Sequence, residues 1–138
     1  MTVVPDTNVL MSALIRDGAT RRIIVASGLP FCYPEISPED IRKHRELILR
    51  TSGMDAAAYE QMLAKLLEYV ALVPTEGIRE HLETAGSIMR GIDPNDAVFI
   101  AAALTSPPAV IWSDDRDFDG QSAVKVVKTR QLARVFSK

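Results

Sequence analysis

The sequence predicts one α/β domain spanning residues 1–138, built in three layers, α/β/α, around a central, mostly parallel sheet with an inserted helical hairpin. Two observations predict it. Five short apolar runs alternate with segments of helical periodicity, the pattern of a parallel sheet with crossover helices. Between the second and third runs, Ser37 to Val70 reads as helix almost throughout, which is the hairpin. No repeat, low-complexity segment or linker interrupts the 138 residues, a length that suits one domain.

The elements follow in order. Thr2 to Pro5 reads as a strand that delivers Asp6, and Val9 to Ile15 as a helix ended by Asp17-Gly18. Thr20 caps a second helix through Ala26, with Gly28 as its stop, and Pro30 to Pro34 is a short buried strand. Ser37-Pro38-Glu39-Asp40 offers an N-cap serine, a proline at the first helical position and acids in the first turn, so a helix is expected from there to about Thr51. Gly53 breaks it and Asp55 caps the next, where Tyr59, Met62, Leu63, Leu66, Leu67 and Val70 fall at helical spacing. Ala71 to Pro74 reads as a strand and Ile78 to Met89 as a helix ended by Gly91. Asp93-Pro94-Asn95-Asp96 is a turn into an apolar, Ala-rich helix, Ala97 to Leu104, expected to be buried on most of its surface and closed by Pro107-Pro108. Ala109 to Trp112 is a buried strand that delivers Ser113-Asp114-Asp115. Ala123 to Val127 is another strand, and Thr129 caps a final helix.

Composition excludes several classes. Cys32 is the only cysteine, so a disulfide framework and a cysteine zinc site are both excluded, and a reducing, cytoplasmic setting is expected. No basic segment leads into a signal-like apolar stretch, and no apolar run approaches the roughly 18 residues of a membrane span. The net charge of −2 hides an asymmetry: six aspartates stand against Arg116 alone between Asp93 and Asp119, while five basic residues and no acid follow Gly120. Arg42, Lys43, Arg45 and Arg50 form a second basic group. An acidic centre with basic flanks suits a site that binds metal and then a polyanion; a solvated surface of mixed sign is the plain alternative.

In an open parallel sheet, ligands bind beyond the carboxyl ends of the strands. Asp6 follows the first strand, Asp114 and Asp115 follow the strand ending at Trp112, and Asp96 opens the buried helix, so acids from three distant parts of the sequence can converge on one cleft. Close carboxylates repel unless a proton or a divalent cation offsets them, and carboxylate oxygens are the preferred ligands of Mg²⁺ and Mn²⁺. Such a site suggests phosphodiester hydrolysis by metal-activated water. No GxxxxGK[ST], GxGxxG or GxSxG competes, and His44 and His81 lack metal-ligand spacing.

DTNVLMSALI after an apolar strand, DPNDAVFIAAAL in the second half and VIWSDDRDF near the end resemble, in order and spacing, the PIN-domain ribonucleases. These include VapC-like toxins of prokaryotic toxin–antitoxin pairs. The resemblance covers essentially the whole chain and implies a single PIN-like domain. It also implies a metal-dependent nuclease that cuts single-stranded or structured RNA to leave a 5′-phosphate, with three or four acids and Mg²⁺ or Mn²⁺ as cofactor. Carried over residue by residue, Asp6 is the first acid, and Asn8 supports its loop. Asp40, before Ile41, matches the second acid, with Glu39 adjacent as the alternative; the family's usual residue is glutamate, one methylene longer than Asp40. Asp96 is the third acid, with Asp93 as an outer partner. Asp115 is the fourth, with Asp117 beyond it, and Ser113 stands where the family often has threonine. The family also implies a homodimer, for which the Ser37–Val70 hairpin offers a surface, and a cognate antitoxin protein.

Each acid also has a plain reading. Asp6 and Asp96 can cap their helices, Asp40 sits at a capping-box position relative to Ser37, and Asp93 can simply start the Asp-Pro turn. Asp114 and Asp119 read as solvated loop acids. A catalytically weak or inactive PIN-fold module that binds RNA, metal or a protein partner is the second functional reading. A haloacid-dehalogenase-type phosphohydrolase needs an acid two residues after its nucleophilic aspartate, where this chain has Asn8.

Overall fold

The apolar runs form one wholly parallel sheet of β1 (Thr2–Pro5), β2 (Phe31–Pro34), β3 (Val70–Val73), β4 (Ala109–Trp112) and β5 (Lys125–Val127), in the order β3-β2-β1-β4-β5. The structure is a computed structural model that describes residues 1–35 and 38–136, apart from the side chains at 38–42, 94 and 136. Position in the sheet explains composition. β2 is buried at every residue and β1 and β4 nearly so, whereas the edge strands expose Ala71, Leu72 and Lys125.

The helices are α1 (Thr7–Ile15), α2 (Ala19–Ala26), α3 (Pro38–Ser52), α4 (Ala56–Leu67), α5 (Thr75–Ile88), α6 (Ala97–Thr105) and α7 (Thr129–Phe136). Short 3-10 turns occupy Pro94–Asp96 and Arg116–Gly120. α6 packs directly on β1, β2 and β4, and α5 covers α6. The alanines of α6 make this possible: Ala101, Ala102 and Ala103 are buried and let the helix approach the sheet and α5 together. α1 joins α2, α3 and α4, and α2 joins α7, completing the three-layer arrangement with the α3–α4 hairpin inserted between β2 and β3. Among the described residues, no helix is long and apolar enough to cross a membrane.

An aromatic series runs through the core toward the sheet's carboxyl edge. Tyr33 meets Phe99 edge-on at 5.8 Å, and Phe99 meets Phe118 at 6.2 Å. Phe118 is fully buried, so it anchors the 116–120 turn that carries Asp117. Phe118→Ala is expected to cost about 3–5 kcal/mol of stability, the usual price of truncating a buried aromatic ring, measurable by urea unfolding.

Several boundaries differ from the sequence-based expectation. α1 starts at Thr7 rather than Val9, because Asp6 caps it. α4 ends at Leu67, and Val70 opens β3 opposite Phe31 instead of closing the helix. The apolar spacing ran on because Val70 is buried in either setting. α5 starts earlier, at Thr75, and β5 holds only the last three residues of its expected run. α7 has Thr129 as its first residue rather than its cap. The Ser37 cap lies outside the described residues.

Candidate metal centre

The chain leaves β1 for β2 on one side of the sheet and leaves β4 for β5 on the other, so the carboxyl ends of β1 and β4 flank the switch point where open α/β sheets hold ligands. Asp6 and Ser113 are the first residues past those ends. The Asp6 N–H donates to the Trp112 carbonyl at 3.1 Å, which extends the β1–β4 ladder and sets Asp6 beside Ser113. The Ser113 hydroxyl, itself fully buried, donates to Asp6 Oδ2 and accepts from the Asp115 N–H at 3.0 Å. One hydroxyl thus fixes the first and fourth expected acids relative to each other. Asp6 Oδ1 accepts from Val9 N–H at 2.8 Å, so capping and site roles coexist in one carboxylate.

Asp6 is only 5% exposed. Burial pushes its carboxyl above the ordinary range; the Ser113 and Val9 donors pull it down, and the charges of Asp115 and Asp114 push it up. Asp115 accepts from Asp117 N–H through Oδ1 at 2.9 Å, capping the 116–120 turn and leaving Oδ2 unused by that bond. Asp6, Asn8, Ser12, Thr20, Asp114 and Asp115 line one cleft.

Asp96 behaves differently from a helix cap. Its backbone is already helical, at φ −85° and ψ −7°, and its side chain caps nothing on α6. Its carboxyl is pushed up to about 6, by burial first and then by the charges of Asp93, Asp115, Asp117 and Asp6. Oxygens of Asp93, Asp96 and Asp117 lie within 4.8 Å of one another. Asp93 also starts its turn, accepting from Asn95 N–H at 2.9 Å. Asp93 and Asp117, expected as outer partners, therefore lie close against Asp96, while Asp6 and Asp115 stand together across Ser113.

The PIN-domain family model matches residues 3–136. The chain belongs to the PIN-domain family. No curated protein matches it. PIN domains are generally nucleases that use divalent metal ions. The donor set of this PIN domain fits such an ion: every candidate ligand is a hard carboxylate oxygen, and a cation would offset both the burial that chiefly raises Asp6 and Asp96 and the like charges that add to it. His44 lies away from these acids, on an apolar cleft between α1 and the hairpin. The second-acid candidates, Asp40 and Glu39, sit in the first turn of α3, and their side chains lie outside the described residues.

Two hydroxyls in this PIN domain's cleft, Ser12 and Thr20, were not expected there; Thr20, expected to cap α2, lies inside that helix, whose cap is Gly18. The available signal was spacing: Ser12 stands four residues after Asn8, on the same face of α1. Asp114 and Asp119 are exposed as expected, yet neither is merely solvated. Asp119 pairs with Lys128 at 3.0 Å, and Asp114 binds Thr129.

Proposed function

We propose that this PIN domain is a metal-dependent endoribonuclease that hydrolyses RNA phosphodiester bonds with Mg²⁺ or Mn²⁺. The observation that carries this reading is the Asp96 carboxylate. It is half-buried, it accepts no hydrogen bond among the described residues, and burial first, then the charges of four other aspartates, raise it to about 6. A carboxylate held without donors among like charges fits a ligand better than a structural acid.

Asp6, Asp96 and Asp115 would hold the ion, with Asp40 or Glu39 completing the set and Asp93 and Asp117 supporting. A bound divalent ion supplies a more acidic water and offsets charge on the phosphate. The chain's own residues do the rest. Ser113 fixes Asp6 against Asp115, and Asn8, Ser12 and Thr20 present polar groups along the cleft. Arg116, Lys128 and Arg130 line a groove that shares Asp114 with the acid cleft, suited to the phosphates of the strand on either side of the cut. The test is cleavage of a defined RNA with Mg²⁺ or Mn²⁺, with and without EDTA. Metal-dependent products with a 5′-phosphate are expected. Cleavage that survives EDTA would sink the proposal, and Mn²⁺ uptake without cleavage of any RNA would identify a binding module instead.

We further propose that the protein is the toxin of a toxin–antitoxin pair and acts as a homodimer in the cytoplasm. Its motifs support this, as do the exposed Leu67 and Leu72 at the mouth of the apolar cleft beside the hairpin. A monomeric mass in solution would overturn the dimer, and an adjacent reading frame without a small DNA-binding protein would count against the pairing.

A further inference from the structure

The loop that leaves β4 is held along its length by the residues that enter α7. Trp112 Nε1 donates to Thr129 Oγ1 at 2.9 Å, and Ser113 N–H donates to the Val127 carbonyl at 3.1 Å. Asp114 accepts twice from Thr129: Oδ1 from its N–H at 2.9 Å and Oδ2 from its hydroxyl at 2.6 Å. Lys128 Nζ donates to the Asp115 carbonyl at 3.3 Å while pairing with Asp119. Four consecutive residues, 112 to 115, are thus tied to 127–129.

A helix cap alone would not need this. α7 has a local cap already, since Gln131 Oε1 reaches back to the Lys128 N–H at 2.7 Å, half of a capping box. One oxygen of Asp114 satisfies the Thr129 N–H; the second is spent on the hydroxyl, which in turn accepts from the buried indole. The hydroxyl therefore works in one direction, as acceptor from Trp112 and donor to Asp114, and locks the strand end to the loop. The loop needs such a restraint. Asp115 faces Asp6 and Asp96, and like charges on a free loop relax by moving apart.

We propose that Thr129, acting with Asp114, is a positioning residue: the first residue of α7 clamps the β4 exit loop so that the Asp115 carboxylate is held facing Asp6. This rests on the reading of Asp115 as a metal ligand. It makes α7, which contributes no acid, a working part of the centre, and it gives Asp114 a role that neither a ligand nor a solvated acid would have.

Thr129→Val removes only the hydroxyl and keeps the N–H for Asp114, so α7 retains its start. Thr129→Ser keeps the hydroxyl. In Thr129→Val, Mn²⁺ affinity is expected to fall about tenfold, the scale of losing a supporting partner. Amide exchange at Asp115 and Asp117 should quicken, and the emission of Trp112, the sole tryptophan, should shift as its indole loses its acceptor. Thr129→Ser should restore all three. Thr129→Val with a shifted emission but unchanged Mn²⁺ affinity would overturn the proposal, as would Thr129→Ser binding as weakly as Thr129→Val. Should Thr129→Val fail to fold, Thr129→Ala carries the same comparison, because it too lacks the hydroxyl and keeps the N–H for Asp114. Wild-type protein that takes up no Mn²⁺ overturns the nuclease reading and this role together, and is told apart because it shows before any variant is made.

Discussion

Asp6→Asn is expected to lower metal-dependent RNA cleavage at least about 100-fold while leaving the fold standing. The activity loss should reach or exceed the roughly 10–100-fold that removal of a mere supporting residue costs a metal site. The fold survives because the asparagine oxygen can take over the cap on Val9 N–H. Stability in metal-free buffer should even rise. Asp6 is a buried carboxylate whose ionised form burial disfavours, and the amide removes that charge. The measurement is paired: cleavage rate with Mn²⁺, and thermal midpoint in EDTA. A variant that unfolds, or one that retains wild-type cleavage, would contradict the assignment.

Asp96→Asn should flatten a pH dependence that the wild type displays. The Asp96 carboxyl lies at about 6 in the folded chain against an ordinary 3.8. Between those values the folded state holds its proton more tightly than the unfolded state does. The Asp96 contribution to metal-free stability is therefore fully present below about pH 4 and is lost as pH rises toward 6, with Asp6 acting in the same direction. Asp96→Asn should lose much of that decline and gain about 1–2 kcal/mol near neutral pH, a shift of roughly 3–6 °C in the midpoint. Mn²⁺ should reverse the decline in the wild type and do little for the variant. Its affinity for the wild type should weaken as pH drops below 6, because proton and cation compete for the same oxygens. Wild-type midpoints that are level from pH 4 to 6 would remove the basis for this expectation.

The parts of this protein visible in its sequence are those written in local chemistry. β1, β4 and the apolar α6 announce themselves by composition, and Asp6, Asp96 and Asp115 are legible because each stands at or near the end of a buried run: Asp6 directly after β1, Asp115 three residues past β4, and Asp96 just before α6. Val70 was misplaced because a helix face and an edge strand both want a buried β-branched residue there. What stayed hidden depends on non-local pairing. The sequence singles out Ser113 only by its place in the family pattern; what it does shows once β1 and β4 are neighbours and its hydroxyl meets Asp6, 107 residues away in the chain. The pull of Asp93 and Asp117 toward Asp96 likewise needs the 116–120 turn folded back over Phe118. Thr129 is the extreme case, since a residue read as a helix cap turns out to be capped by Asp114 from another segment.

The strand order also has a meaning for the protein's birth. β1 is made first, yet one of its two neighbours, β4, is made only after residue 108. While the ribosome is still adding α5 and α6, one flank of β1 stays open and Asp6 lacks both the Trp112 carbonyl and the Ser113 hydroxyl that later hold it. Long-range parallel pairing of this kind forms late. Until β4 has been made, a nascent chain therefore carries Asp6 without an assembled centre. If the mature centre cuts RNA, that delay shields the messenger and the ribosome that are producing it.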